Sequence, residues 1–150
     1  QNAMARYLVA REGASGKIVG FAGLWLMLDE AHVVTVAVLP ELRRLGYGRL
    51  LVHGLMIVAM HSRMESATLE VRESNGAARA LYREYGFYEV GERKKYYSDN
   101  REDAIIMSTE VLGSPAYTKR MAELGATLSA PFPGVSLVPE GLDEPKTIPG

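Results

Sequence analysis

A loop rich in arginine and glycine, residues 43–49, joins an apolar strand to a long apolar helix. The strand is predicted over His32–Leu39, and the helix runs from Glu41 to about Arg63. The strand segment is almost continuously apolar, which is typical of a strand covered on both faces. This succession predicts a fold in which a buried sheet packs against a crossover helix.

The same loop suits an anionic ligand. The first backbone N–H groups of a helix lack intrahelical partners and lie at the positive end of the helix dipole, so they bind anions. Gly46 and Gly48 have no side chain that would keep a phosphate from the backbone, and Arg43, Arg44 and Arg49 add positive charge. The loop therefore predicts a pyrophosphate site. The alternative is an ordinary solvated helix start with a few basic residues.

Two common nucleotide motifs do not match this loop. The P-loop requires lysine and then serine or threonine after its last glycine, where this chain has Arg49 and Leu50. The dinucleotide fingerprint requires a third glycine at the position of Leu51. Both nucleotide interpretations are therefore weakened.

Hydrophobic periodicity and turn residues predict the order β-β-β-α-β-α-β-β, followed by a short helix. The other predicted strands are 6–11, 17–28, 67–72, 87–97 and 104–112, and the other predicted helices are 76–85 and 116–124. Crossover helices before and after the fourth strand indicate an α/β (α+β) fold with a sheet of mixed direction. The long helix is apolar almost all round over 50–60, so we expect it to be covered on more than one side.

Three regions are distinguished along the chain. Residues 1–3 are interpreted as an expression remnant, and residues 4–112 as the domain itself. Residues 113–150 are predicted to form a short helix and then a tail rich in proline and glycine. We expect that tail to be extended, without a core of its own.

Composition excludes several classes of site. Basic and acidic side chains number 17 and 18, and the net charge of −1 provides no basic field for nucleic acid. The chain has no cysteine, which excludes disulfides, a cysteine nucleophile and thiolate zinc sites. No signal peptide or membrane span is evident, so a cytoplasmic protein without nucleic-acid or membrane partners is predicted. His32, His53 and His61 are scattered, and no metal site is predicted.

Two residues are candidates for acid–base chemistry. Strand 67–72 alternates, so Glu70 lies mid-strand on the face opposite the apolar side chains. A carboxylate in a cleft could accept a proton directly or through water, and the alternative is a solvated glutamate on a half-exposed face. Tyr82 lies on the helix for which Asn75 is the predicted N-cap. The alternative to an acid–base role is that Tyr82 packs in the core with other residues at helical spacing.

Five motifs in the chain resemble one enzyme superfamily. The pattern Arg43-x-x-Gly46-x-Gly48 resembles the acetyl-CoA signature of the GNAT N-acetyltransferases. Four segments resemble its ribosomal-protein-alanine N-acetyltransferase (RimI-like) branch: Leu-Glu-Val-Arg-Glu-Ser-Asn (69–75), Ala-Leu-Tyr-Arg-Glu-Tyr-Gly-Phe (80–87), Lys-Tyr-Tyr (95–97) and Glu-Asp-Ala-Ile-Ile-Met (102–107). The resemblance covers roughly residues 5–110. It implies the GNAT acyl-CoA N-acyltransferase fold, a mixed, mostly antiparallel central sheet with flanking helices.

The resemblance also implies residue roles. Glu70 matches the general base of the branch, and Tyr82 matches its general acid toward the CoA thiolate. The pantetheine arm would bond the backbone of strand 36–38, and amides of residues 43–49 would hold the pyrophosphate. The implied acetyl-CoA contacts are Val36, Ala37, Val38, Arg43, Arg44, Leu45, Gly46, Tyr47, Gly48, Arg49, Asn75, Ala78 and Tyr82, and the implied acceptor contacts are Trp25, Asp29 and Tyr97.

The implied activity is acetyl transfer from acetyl-CoA to the N-terminal amine of a protein, such as a ribosomal protein, by direct attack in a ternary complex. The alternatives are a truncated acetyl-CoA-binding module or subunit with little turnover, and an acetyltransferase of a small amine. The family normally has a strand and two helices before the strand at 6–11, and only five residues precede it here. We therefore expect an N-terminally truncated form in which a homodimer, or the tail packed over the sheet, provides the missing cover.

Overall fold

In the part of the chain that the structure describes, seven strands of one sheet and three helices build the fold. The computed structural model describes residues 4–13, 15–43, 45–97, 99, 101–128 and 135–140. The predicted remnant at 1–3 and the tail segments 129–134 and 141–150 lie outside the described residues. The strands are β1 (Met4–Glu12), β2 (Ile18–Met27), β3 (Glu30–Val38), β4 (Ser66–Arg72), β5 (Phe87–Tyr97), β6 (Glu102–Thr109) and β7 (Val135–Glu140), and the helices are α1 (Tyr47–His61), α2 (Gly76–Glu84) and α3 (Pro115–Gly125).

The strand order across the sheet is β5-β6-β4-β3-β2-β1-β7. The pair β3–β4 is parallel, and the other described pairs are antiparallel. The parallel pair arises because α1 carries the chain back across the sheet between these two strands, as a parallel connection requires. The predicted α/β fold with a mixed, mostly antiparallel sheet is confirmed.

The core lies between the sheet and the helices α1 and α3, with buried side chains from strands β1 to β6. Leu24 and Leu26 on β2 are buried in it, whereas Trp25 and Met27 between and after them are exposed on the opposite face. Helix α3 also contacts α1, so the sheet is not the only part of the described structure that packs on the apolar helix, and Ile57 of α1 is exposed. None of the described helices is long and apolar enough to cross a lipid bilayer.

The predicted start of the long helix is wrong. A single 3-10 turn, Pro40–Leu42, follows β3, and α1 begins only at Tyr47, where Gly46 is the N-cap. Gly46 has φ = 94°, a left-handed conformation that glycine adopts without the steric cost of a Cβ. The chain therefore turns between the 3-10 turn and the helix, and Glu41 lies outside α1.

The predicted end of the sixth strand is wrong, and the extended tail contains a strand that was not predicted. Strand β6 ends at Thr109 rather than at Leu112, because the Leu112 N–H donates instead to the carbonyl of Glu65, at 2.8 Å. The tail contributes β7, which pairs antiparallel with β1 at the edge of the sheet. Pro139 is compatible with this position because an edge strand tolerates a residue without an N–H. The strand was missed because its pairing partner is more than 120 residues away in the sequence.

Gly20 on β2 is required by a close backbone approach. A Cβ built there would lie 2.8 Å from the carbonyl oxygen of Ala37 on β3 and 3.0 Å from Leu51 Cδ1. We expect Gly20→Ala to lower the free energy of unfolding by about 1–3 kcal/mol, because the added methyl group overpacks the site. Chemical denaturation measures this change. Gly113→Ala is the matched control, since a Cβ there meets no atom within 4 Å. Equal midpoints for the two variants would contradict the expectation.

Candidate active site

The parallel strands β3 and β4 diverge to form a cleft. Their pairing ends at His32 and Thr68, and the described residues beyond that point, 33–38 and 69–72, share no backbone pairing with one another. On the side toward β4, the N–H and C=O groups of β3 therefore face an opening in the sheet. Such an edge can bind an extended ligand as a sheet binds an added strand.

A β-bulge in β3 accounts for the divergence. Gly23 pairs with Thr35, and Leu24 pairs with Val33, so that Val34 is left as the extra residue. A bulge bends its strand and increases the local twist. Strand β3 keeps its pairing with β2 and turns away from β4.

The cleft between the two strands has a volume of about 940 Å³. Two strands, the start of α1 and helix α2 form its walls. It brings together ten of the residues predicted for the site, which are Val36, Ala37, Val38, Arg43, Gly48, Glu70, Asn75, Ala78, Tyr82 and Tyr97. These residues come from five separate segments of the chain, and the sheet opening is what makes them neighbours.

The loop before α1 forms the end of the cleft at which the sequence predicts a bound pyrophosphate. Arg43 and Gly48 line it, and a Cβ at Gly48 would meet no atom within 4 Å, so a phosphate can approach the backbone there. Leu45 is exposed and Tyr47 packs against the core. Arg44 lies outside the described residues.

Arg49 does not point its charge at this loop. Its guanidinium donates two hydrogen bonds to the carboxylate of Glu84 on α2, one of them from Nη2 to Oε2 at 3.2 Å. The hydrogen bond from Arg49 holds the pKa of the Glu84 carboxyl below its usual range. Through its side chain, Arg49 therefore links α1 to α2, and the contact it can offer a phosphate is its backbone amide.

Glu70 is held by a histidine where the two strands part. His32 Nε2 donates to Glu70 Oε1 at 2.8 Å, and Arg93 Nε lies 3.9 Å from the other carboxylate oxygen. The Glu70 side chain is only 17% exposed, compared with 57% for Arg93. A carboxylate that is mostly shielded but borders the cleft can accept a proton from a bound group.

Tyr82 lies on the α2 wall of the same cleft. Its ring packs edge-on against Phe87, with centroids 5.5 Å apart. Burial raises the pKa of Tyr82 to about 12, with a smaller contribution from Tyr97. The hydroxyl is therefore protonated throughout the neutral range and can donate a hydrogen bond. Asn75 caps the helix as predicted, because its side chain accepts from the Ala78 N–H at 3.1 Å.

The three predicted acceptor residues lie in different places. Tyr97 lines the cleft. Trp25 is exposed and pairs with His32 on the neighbouring strand, outside the cleft lining. Asp29 lies in the turn before β3, where its carbonyl accepts from the Glu65 N–H at 2.6 Å. The structure therefore brings only Tyr97 to the other site residues.

Sequence reasoning missed His32 and Arg93. His32 lies in the strand just before the glycine loop, and Arg93 lies on β5. A parallel pairing of β3 with β4 would have placed His32 level with Thr68, two residues before Glu70. That register could not be read from the sequence, because the strands are joined by a long helical crossover.

Comparison with known proteins identifies the family. The model of the Acetyltransferase (GNAT) family matches residues 1–87, which is more than half of the chain. The chain belongs to the GNAT acetyltransferase family. The predicted family, enzyme class and acetyl-CoA cofactor are thereby confirmed.

Two bacterial acetyltransferases are among the proteins similar to this chain. The chain is 42% identical over 108 residues to the ribosomal protein bS18-alanine N-acetyltransferase of Escherichia coli K12, covering 71% of this chain and 73% of the relative. It is 41% identical over 106 residues to the protein of that name from Haemophilus influenzae, covering 69% and 72%. The crystal structure of the ribosomal-protein-S18-alanine N-acetyltransferase from Escherichia coli aligns with a TM-score of 0.61 and covers 65% of this chain and 64% of that one. The predicted resemblance to the ribosomal-protein-alanine N-acetyltransferase branch is thereby confirmed.

Proposed function

We propose that this protein transfers an acetyl group from acetyl-CoA to the N-terminal amine of a protein, with an alanine-leading ribosomal protein as the acceptor. The observation that supports it best is the cleft itself, in which Glu70, Tyr82 and the unpaired edge of β3 meet beside the anion-binding start of α1. The bS18-alanine N-acetyltransferases that the chain resembles support the choice of acceptor.

Acetyl-CoA would contact two parts of the cleft, the start of α1 and the open edge of β3. The backbone amides at the start of α1 would hold the pyrophosphate, because they point outward at the positive end of the helix dipole. The pantetheine arm would bond the open edge of β3 at Val36 and Val38. These contacts place the thioester near the point where β3 and β4 part.

The acceptor amine attacks the thioester carbonyl carbon directly. The pKa of an α-amino group is about 7.7–8.0, so little free energy is needed to remove its proton at neutral pH. Glu70 accepts that proton through an ordered water. His32 holds the carboxylate in place through its 2.8 Å hydrogen bond. A strand-edge N–H of β3 stabilises the negative charge that forms on the carbonyl oxygen.

Collapse of this intermediate breaks the carbon–sulfur bond and forms the amide. The electron pair leaves on sulfur, and the Tyr82 hydroxyl donates to the thiolate as it forms. Solvent takes the second proton from the nitrogen of the intermediate and supplies the proton that makes CoA neutral, and Glu70 returns its own proton to solvent. Holding amine and thioester together contributes much of the acceleration, and no covalent enzyme intermediate is needed.

The test is a transfer assay with the purified protein, acetyl-CoA and a short alanine-leading peptide. We expect free CoA to accumulate, the peptide to gain one acetyl group at its N-terminus, and a peptide with a blocked N-terminus to remain inert. Thermal stabilisation by acetyl-CoA without turnover would instead support a binding module. Turnover with a polyamine but not with the peptide would support a small-amine acetyltransferase.

A ribosomal acceptor would place the reaction in the cytoplasm. The homodimer predicted from the apolar helix stays a prediction, which light scattering of the purified protein tests.

A further inference from the structure

Arg72 lines the cleft and contacts Tyr97, Asp99 and Glu102. It ends β4, two residues beyond Glu70 and on the same face of the strand. Its guanidinium carbon lies 4.1 Å from the centroid of the Tyr97 ring. Its two terminal nitrogens donate to the two oxygens of Asp99, at 3.0 and 2.9 Å.

These contacts join parts of the sheet that the backbone does not join. Tyr97 ends β5, and β6 lies between β5 and β4, so side chains alone connect Tyr97 to Arg72. Glu102 adds to the connection, since it lies 3.7 Å from Arg72 and accepts from the Ser74 N–H. Tyr97, Asp99 and Glu102 are thereby held against the end of the strand that carries Glu70.

The arrangement contributes little to the stability of the fold. Asp99 is 66% exposed and Arg72 is 35% exposed, and exposed ion pairs stabilise a fold only slightly because water screens them. The contacts do determine where the Tyr97 ring lies. A planar guanidinium stacked on a ring and paired with a carboxylate fixes both at once, which a lysine ammonium does not do.

Tyr97 lies where an acceptor must arrive. The anion-binding end of the cleft, at Arg43 and Gly48, is occupied by the cofactor in the proposed function. The amine has to reach Glu70, and the face that carries Glu70 also carries Arg72 and the stacked Tyr97. Burial raises the pKa of Tyr97 despite the opposing effect of Arg72, so its hydroxyl is protonated and can donate to a peptide carbonyl.

We propose that Arg72 is a positioning residue for acceptor binding, which holds Tyr97 beside Glu70 so that its hydroxyl donates to the backbone of the incoming N-terminal peptide. Asp99 fixes the orientation of the guanidinium. This proposal rests on the proposed function, because it assumes that a peptide N-terminus enters on the Glu70 face. It assigns Arg72 no contact with acetyl-CoA.

The experiment measures the KM values for both substrates in Arg72→Lys, Asp99→Asn and the double variant. We expect the KM for an alanine-leading peptide to rise about tenfold or more, since small errors in positioning are costly, with the KM for acetyl-CoA and the midpoint of thermal unfolding unchanged. The double variant should resemble the single variants, because the two residues act as one unit. Arg83→Lys is the matched control, since Arg83 is an exposed arginine paired with Glu89.

Each outcome has a distinct meaning. Absence of wild-type turnover with the peptide would overturn the proposed function. Wild-type turnover combined with an unchanged peptide KM in Arg72→Lys would overturn only the role of Arg72. In Asp99→Asn, an equal rise in both KM values, or a lower unfolding midpoint, would show a structural role and would also overturn it. Asp99→Asn keeps the test valid if Arg72→Lys folds poorly, because Asp99 lies in an exposed turn.

Discussion

Replacing Glu70 with glutamine is expected to lower kcat by about 10²–10⁴, the usual contribution of a general base, and to leave the Kd for acetyl-CoA unchanged. Glutamine has the shape of glutamate and can accept the hydrogen bond from His32, but it cannot take a proton from the amine. Steady-state turnover with an alanine-leading peptide measures the first quantity, and titration calorimetry measures the second.

The pH dependence of this variant separates a base from a purely structural residue. Above about pH 9 the acceptor amine is already neutral, because its pKa is about 7.7–8.0. The deficit of Glu70→Gln should therefore narrow as the pH rises. Glu73→Gln is the matched control, since Glu73 is exposed and makes its described hydrogen bonds through its backbone. A kcat equal to that of the wild type at pH 7 would remove Glu70 from the mechanism.

Replacing Tyr82 with phenylalanine is expected to lower kcat by about 10², comparable to the loss of one donor to a developing anion. The ring and its packing on Phe87 are kept, so the midpoint of thermal unfolding should change little. The pKa of about 12 lies above that of an ordinary thiol, about 8.5. Complete proton transfer to sulfur is therefore uphill, and we expect the hydroxyl to act mainly by donating a hydrogen bond to the thiolate.

The same pKa predicts the alkaline side of the rate profile. Because burial favours the neutral hydroxyl, the donor is fully present below about pH 10 and is lost only as the pH passes the raised value of about 12. The wild-type kcat/KM should rise through the pKa of the amine and then stay level to about pH 10.5. A decline between about pH 9 and 10.5 that Tyr82→Phe abolishes would show that Tyr82 ionises near its ordinary value. Tyr88→Phe, at an exposed tyrosine outside the cleft, is the control.

Much of the site could be predicted because its signals are local. The glycine loop is recognisable from the residue types that an anion-binding helix start needs, and Asn75 precedes α2 as an N-cap should. The alternation of β4 placed Glu70 on the correct face. The helix start was misplaced because Pro40 and Glu41 look like the first turn of a helix, whereas the left-handed Gly46 sets where α1 begins.

The side-chain contacts that hold Glu70 and Arg72 in place could not be predicted from the sequence. His32 and Glu70 are 38 residues apart, and Arg72 and Asp99 are 27 apart. Each pair depends on the strand order and register, and for a strand a shift of one residue moves every side chain to the other face. The bulge at Val34 is another such feature, since nothing in an apolar run of valines marks the extra residue.

By itself, the sequence determined the family, the order of the elements and the residue types that can do the chemistry, because motifs, caps and alternation depend on neighbours along the chain. The tertiary structure decided that β3 and β4 part beyond His32 and Thr68, that Arg49 pairs with Glu84, and that the tail adds β7 to the sheet. These features are contacts between distant segments. They exist only once burial of the core has chosen one register and one strand order from those that the local pattern allows.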